Sequence, residues 1–119
     1  MNRIPIDLDL SPLIGLEIIQ VAIGQNEVVI QLYPTGAIRL EGSWMLKDKG
    51  GEIIDQSMDH SEREVWRIHK IIGRKILDCI VRDEKHLDLL FDDFILQLED
   101  DSDHFETFSI EHLSLKLYV

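Results

Sequence analysis

Apolar and polar residues alternate along much of this chain, which is the two-residue period of a β-strand with one buried face. Short runs of turn-prone residues interrupt the alternation, for example Gly24–Glu27, Pro34–Gly36 and Lys47–Gly51. Their spacing is typical of hairpins. The predicted strands include 28–33, 37–41, 95–99 and 113–118, together with a hairpin that joins 44–46 to 52–54.

The apolar pattern recurs after 58 residues. Residues 14–42 align with residues 72–100 without a gap, and Leu32 and Leu90 are one of six identical pairs. Because a slip of one residue would turn every side chain to the other face of a strand, a shared register predicts a shared fold. In both copies, apolar residues at alternate positions predict a strand ahead of the hairpin: 19, 21 and 23, and 77, 79 and 81.

A helix is predicted between the copies, near residues 62–72. Ser61 and Glu64 have the spacing of a capping box, and Ile68 and Ile72 fall on one helical face. The predicted fold class is mainly β (α+β by count of elements), with antiparallel sheets formed by two pseudo-symmetric β-meanders. A sandwich, a half-barrel and one curved sheet all fit the pattern. We predict a single domain, residues 1–119, with internal repeats at about 11–58 and 69–119.

Charge changes the picture, because most of it lies in one segment. The formal net charge is −11, and the segment from Asp83 to Glu111 holds eleven acidic residues and one base, Lys85. Clustered like charge repels itself, so a cationic partner would compensate it. The same residues also fit solvated hairpin tips that keep β edges from pairing. A calcium site is disfavoured, because the Asp-x-Asp-x-Asp-Gly loop is missing.

Signs of catalysis and of metal binding are few. No two histidines have HxxxH or HExxH spacing, and Cys79 is the single cysteine and lies in an apolar stretch, which predicts a buried, inert thiol. The serines lack the glycines of a nucleophile elbow, and no glycine-rich loop is present to bind phosphate. We therefore expect no enzymatic activity, no catalytic residues, no metal and no cofactor.

The same features bear on partners and compartment. Basic residues are dispersed, so direct binding of nucleic acid is not expected. The start of the chain resembles no signal peptide, and no apolar run is long enough for a membrane span. With a single cysteine, this predicts a cytoplasmic protein without a membrane partner.

The motif Leu-Ile-Gly-x-x-Ile begins at Leu13, and Ile-Ile-Gly-x-x-Ile begins at Ile71. Each leads into strand, turn and strand, and the pattern resembles a family of small bacterial β-repeat proteins over most of residues 11–110. Relatives of this size and acidity are immunity proteins of contact-dependent growth inhibition and related polymorphic toxin systems. The resemblance implies no enzymatic activity and supplies no functional residue by position.

Charge and resemblance together predict a cytoplasmic immunity protein, an antitoxin that blocks a cognate protein toxin by occlusion. The toxin is expected to be cationic, and a basic nuclease is the natural example. Carboxylates would steer the toxin, and aromatic anchors would supply affinity. The alternative is a self-associating structural or adaptor domain that forms a homodimer, and a small-ligand pocket stays open as a third function. The residues predicted to bind the partner are Asp92, Asp93, Phe94, Asp100, Asp101, Asp103 and Phe105.

Overall fold

The computed structural model describes residues 3–57, 65–102 and 106–119. Within these ranges the chain forms ten β-strands and two 3-10 helices, the latter at Ser11–Leu13 and Ile68–Ile71. The strands are β1 (Glu17–Ile23), β2 (Val28–Tyr33), β3 (Ala37–Leu40), β4 (Ser43–Asp48), β5 (Ile53–Gln56), β6 (Asp78–Asp83), β7 (His86–Leu90), β8 (Phe94–Glu99), β9 (Phe108–His112) and β10 (Leu115–Tyr118).

The strands form two antiparallel sheets of five strands each, which confirms the mainly β prediction. Sheet A has the order β1-β2-β3-β9-β10, and sheet B has the order β5-β4-β8-β7-β6. Each sheet therefore contains the three-stranded meander of one repeat and the following hairpin of the other repeat. The two meanders are pseudo-symmetric as predicted, and their hairpins are exchanged between the sheets.

The two sheets meet around an approximate two-fold axis near the start of β1. The Gly15 N–H donates to the Ile76 carbonyl at 2.7 Å, and the Gly73 N–H donates to the Ile18 carbonyl at 2.7 Å. The two bonds are related by the 58-residue offset. Glu17 pairs with position 75 across the axis. This short ladder joins the sheets along one side, and their inner faces share one hydrophobic core, so the fold is a sandwich joined at one edge.

The core shows where the repeat alignment needs correction. Ile30 and Leu32 of the first repeat are buried, and Leu89 and Phe91 are their buried counterparts. These pairs lie 59 residues apart, so the gapless alignment is wrong in this strand, and Leu90 is not equivalent to Leu32. The β6–β7 hairpin has one residue more than the β1–β2 hairpin, and the following turn has one residue fewer, so the offset returns to 58 in β8.

The first strand also differs from its predicted pattern. A bulge between Ile18 and Gln20 shifts the register of β1 against β2. Ile18 is therefore buried, whereas Ile19 and Ile23, two of the residues expected to alternate on one face, are exposed.

The helix predicted near residues 62–72 is a 3-10 helix over Ile68–Ile71. Its capping group comes from a different place than predicted. The buried Asp55 carboxylate accepts hydrogen bonds from the backbone N–H groups of Arg67 (2.7 Å) and Ile68 (2.8 Å). The proposed capping residues 61 and 64 lie outside the described residues. No helix in the described part of the chain has the length and apolarity needed to cross a membrane.

Candidate functional site

The exposed acids of the predicted binding set that the structure describes lie at two separate places. Asp92 and Asp93 form the turn between β7 and β8, and Asp101 follows the far end of β8. At about 3.3 Å per residue, the strand separates these places by roughly 20 Å. Asp93 is also paired within the chain, because Arg74 Nη2 lies 3.0 Å from its Oδ2. Asp92 and Asp93 therefore lie apart from Asp101, at opposite ends of β8.

Phe94 does not serve as an exposed aromatic anchor. Its side chain is 8% exposed and belongs to the core. Its aligned residue, Gly36, has a φ of +115°, whereas no described residue other than glycine has a positive φ. The two turns therefore differ in backbone conformation, and in the second turn the Phe94 ring packs into the core.

Asp100 is also buried. Arg3 Nη1 donates to its Oδ2 at 2.6 Å, and the Thr107 hydroxyl lies 3.4 Å from Oδ1. This ion pair ties the N-terminal segment to the end of β8, so Asp100 has a structural role and is not available to steer a partner. Asp103 and Phe105 lie outside the described residues.

The candidate site is a cleft of about 490 Å³ on the outer face of sheet B. One row of outward side chains crosses the sheet from β5 to β6 in register. A second row beside it contains Ser43, Glu99 and His86. The first row is Gln56, Met45, Gln97, Asp88 and Ile80.

Asp88 lies in the middle of this face and is 1% exposed. Its neighbours Leu87 and Leu89 point into the core, so the strand's alternation turns the carboxylate toward the cleft. Arg82 Nε donates to its Oδ2 at 2.7 Å, and within the described residues its Oδ1 accepts no hydrogen bond. The Arg82 side chain is 53% exposed. The negative charge of this nearly buried carboxylate is thus balanced by one long arginine side chain that is half-exposed to solvent.

His86 lies beside Asp88 along the strand and is held between two carboxylates. Its Nδ1 lies 2.8 Å from Asp83 Oδ1, and its Nε2 lies 2.8 Å from Glu99 Oε2. Hydrogen bonds to Asp83 and then to Glu99 raise the pKa of His86 above its usual value. The N–H of Lys85 and the imidazole of His86 lower the pKa of Asp83. This arrangement favours an imidazolium that donates from both nitrogens.

Acidic side chains lie at and beside this end of the cleft, and Glu99 is the one that lines it. Asp101 accepts a hydrogen bond from the Ser43 hydroxyl, and Glu99 faces the same row. Asp83 and Glu84 lie in the adjoining β6–β7 hairpin and are exposed. We call these four residues the acidic rim: Asp83, Glu84, Glu99 and Asp101.

The chemistry of these groups is suited to binding. With both nitrogens of His86 facing carboxylates, the ring presents no lone pair for proton abstraction. Cys79 is half-buried rather than buried, and burial, followed by the charge of Asp78, raises the pKa of its thiol to about 12. Among residues 3–57, 65–102 and 106–119, no group of three or more His, Cys, Asp or Glu side chains is placed to hold a metal ion.

The sequence analysis did not identify Asp88, Arg82 or the placement of His86 between the carboxylates of Asp83 and Glu99. A signal for Asp88 was present, because a single acid between two leucines in a short strand interrupts an otherwise apolar run. The pairing of His86 with Glu99 needs the β7–β8 register, which the gapless alignment did not give.

No protein-family model, curated protein or solved structure matches this chain.

Proposed function

We propose that this protein is a cytoplasmic immunity protein that binds a cationic toxin and blocks it by occlusion, with the cleft of sheet B as its docking site. The observation that carries the proposal is the Asp88 carboxylate on the cleft floor, which has a single half-exposed partner. A lysine or arginine of the toxin can bind this carboxylate, either at its second oxygen or in place of Arg82.

The acidic rim supports the same choice of partner. These four carboxylates and Asp88 are five negative charges, against three cations at the cleft and its rim: Lys47, Arg82 and Lys85. The balance stays negative even when His86 is counted as a fourth cation. A negative rim around a recessed carboxylate speeds the encounter with a basic surface and disfavours acidic partners. We propose the acidic rim in place of the acids that the sequence analysis predicted to bind the partner. Asp101 belongs to both sets.

The chemistry of the cleft favours binding over catalysis. An enzyme would need a base with an available lone pair or an activated nucleophile. In the cleft, both nitrogens of His86 lie against carboxylates. Cys79 packs against the core on the other face of the sheet, and burial raises the pKa of its thiol to about 12. Occlusion requires neither group, because a bound protein can cover a toxin's active site without a chemical step.

The test takes the product of the neighbouring gene as the candidate toxin and measures its binding by calorimetry at low and at moderate salt. We expect a complex that weakens as salt rises. Asp88→Asn removes the charge at nearly constant shape and should weaken binding by about tenfold or more, with loss of protection in cells. Asp92→Asn, an exposed acid at the other end of β8, is the matched control and should bind within about twofold of wild type.

Two results would overturn the proposal. The first is the absence of a complex at low salt, with the toxin fully active in cells that make this protein. The second is a complex that Asp92→Asn weakens as much as Asp88→Asn, which would remove the cleft from the interface.

A further inference from the structure

Four large apolar side chains are exposed around the two-fold axis that relates the repeats. Ile14 and Ile72 form one equivalent pair, with 47% and 44% of each residue exposed. Ile19 and Leu77 form the other, at 48% and 51%. Each pair is related by the 58-residue offset. A soluble surface can carry single apolar residues without consequence, but a symmetric group of four indicates a contact surface.

The backbone ladder places these four side chains close together. The Gly15 N–H bonds to the carbonyl of Ile76, so Ile14 lies beside Leu77. The equivalent bond from Gly73 to Ile18 brings Ile72 beside Ile19. Leu16, Ile18 and Ile76 are buried on the inner side of the ladder, so the alternate residues Ile19 and Leu77 share the outer side.

Two opposite charges occupy the centre of this surface. Glu17 and Lys75 are cross-strand partners, and Lys75 is exposed. Among the described residues, neither side chain is engaged in an ion pair. Both charges are therefore available to a group outside the chain. We call the six residues the dyad patch: Ile14, Glu17, Ile19, Ile72, Lys75 and Leu77.

We propose that the dyad patch binds a second copy of this chain. The pseudo-two-fold axis exchanges Glu17 with Lys75, so the patch is complementary in charge to itself. When two copies face each other about a dimer axis that is perpendicular both to the pseudo-two-fold axis and to the line from Glu17 to Lys75, Glu17 of each copy lies opposite Lys75 of the other. The four apolar residues then cover one another around two ion pairs, as expected for an isologous interface. This dimer is independent of the cleft and of the proposed toxin.

The experiment measures molecular mass by sedimentation equilibrium over about 1 to 100 μM of the full chain. We expect a monomer–dimer equilibrium. Ile19→Glu and Leu77→Glu should each weaken the dimer by about tenfold or more, because a carboxylate would be buried at the contact. Ile53→Glu is the matched control, since Ile53 is equally exposed, at 48%, but lies on β5 at the other edge of sheet B.

The two charges allow a sharper test. Glu17→Lys and Lys75→Glu should each weaken the dimer, because each places like charges opposite one another. The double exchange, Glu17→Lys with Lys75→Glu, should restore the affinity to within about threefold of wild type. Circular dichroism of every variant establishes that it is folded.

Three results would overturn the inference: a monomer at every concentration, a dimer that Ile53→Glu disrupts while the patch variants do not, or a double exchange that stays as weak as the single variants. A folded double variant keeps the test decisive if either single variant fails to fold.

Discussion

The outer faces of the two sheets place different chemistry at equivalent positions. Val29 in β2 and Asp88 in β7 are equivalent positions, at the 59-residue offset set by the buried residues on either side of each. On sheet A this position is a half-buried aliphatic side chain. On sheet B it is a nearly buried carboxylate in a cleft. The inner faces thus keep the repeat, and a site arises where the outer faces diverge.

The turns at the ends of β2 and β7 differ in the same way. Gly36 and Phe94 are aligned by the 58-residue offset, yet Gly36 has a positive φ and Phe94 contributes a ring to the core. The first turn therefore depends on backbone conformation and the second on packing. Each of these contrasts between the repeats can be tested by substitution.

Phe94→Ala should have the largest effect on stability. Removal of a buried aromatic ring leaves a cavity and is expected to lower the free energy of unfolding by about 3 kcal/mol. Urea unfolding followed by tryptophan fluorescence measures this change. Leu113→Ala, at an exposed turn residue, should change it by less than about 0.5 kcal/mol. A loss below about 1 kcal/mol for Phe94→Ala would place the ring outside the core.

Gly36→Ala should cost less, about 1 to 2 kcal/mol, for a backbone reason. The φ is +115°, and an added Cβ would lie 3.0 Å from the Glu111 carbonyl oxygen. Thermal unfolding provides the readout. At Gly24 an added Cβ meets only ordinary contacts of 3.5 Å, so Gly24→Ala should leave stability unchanged or slightly raised. Equal losses in the two variants would contradict this account.

Asp88→Val gives sheet B the residue type found on sheet A. Because Arg82 is half-exposed, loss of the carboxylate does not leave a buried cation without a partner. The free energy of unfolding should therefore stay within about 1 kcal/mol of wild type. Binding of the toxin should be lost in the same variant. A loss of stability well beyond this range, measured by chemical denaturation, would show that the ion pair serves the fold instead of the site.

The smallest effect is the pH response of sheet B. Glu27, the first repeat's counterpart of His86, pairs with Arg39 at 3.3 Å, so sheet A has no histidine at this position. His86 has a raised pKa in the folded chain, so its stabilising contribution is present below the unfolded-state pKa of about 6.5 and is lost as pH rises through the folded value. Since the ring is 43% exposed, this contribution should be about 0.5 kcal/mol or less.

NMR titration of the His86 ring measures this directly. Glu99→Gln removes one of the two carboxylates and should lower the pKa of His86, while the remaining hydrogen bond to Asp83 keeps it above its usual value. An unchanged pKa of His86 in Glu99→Gln would show that the hydrogen bond between His86 and Glu99 is not formed in solution.

Local pattern was enough to predict most of the strands. β2 spans the predicted residues, and β3, β8 and the β4–β5 hairpin lie within a few residues of their predicted ends. These elements follow from alternation between apolar and turn-prone residues, which is a local property. The 3-10 helix at Ile68–Ile71 is shorter than predicted, because its cap is Asp55, a residue from a neighbouring strand that no local motif reveals.

Non-local contacts account for the errors. Compared with the first repeat, the second has one residue more in the hairpin before β7 and one residue fewer in the turn after it. The two changes cancel, so a gapless alignment fits the rest of the repeat but is shifted by one residue in β7. From sequence alone Asp100 is predicted to be a surface acid, because its partner Arg3 is almost a hundred residues away along the chain. The candidate site likewise depends on strand order, since Arg82, Asp88 and Gln97 come together only when β6, β7 and β8 are neighbours.

The exchange of hairpins between the sheets constrains how the chain can reach its final form. β3 pairs with β9 and β4 pairs with β8, so neither sheet can be completed from one repeat. During synthesis the first meander leaves the ribosome with one edge of β3 paired to β2 and the other edge unpaired until β9 has been translated. Such distant pairings slow folding, and this interval exposes the nascent chain to aggregation. Separately expressed halves should accordingly remain unfolded alone and recover structure when mixed.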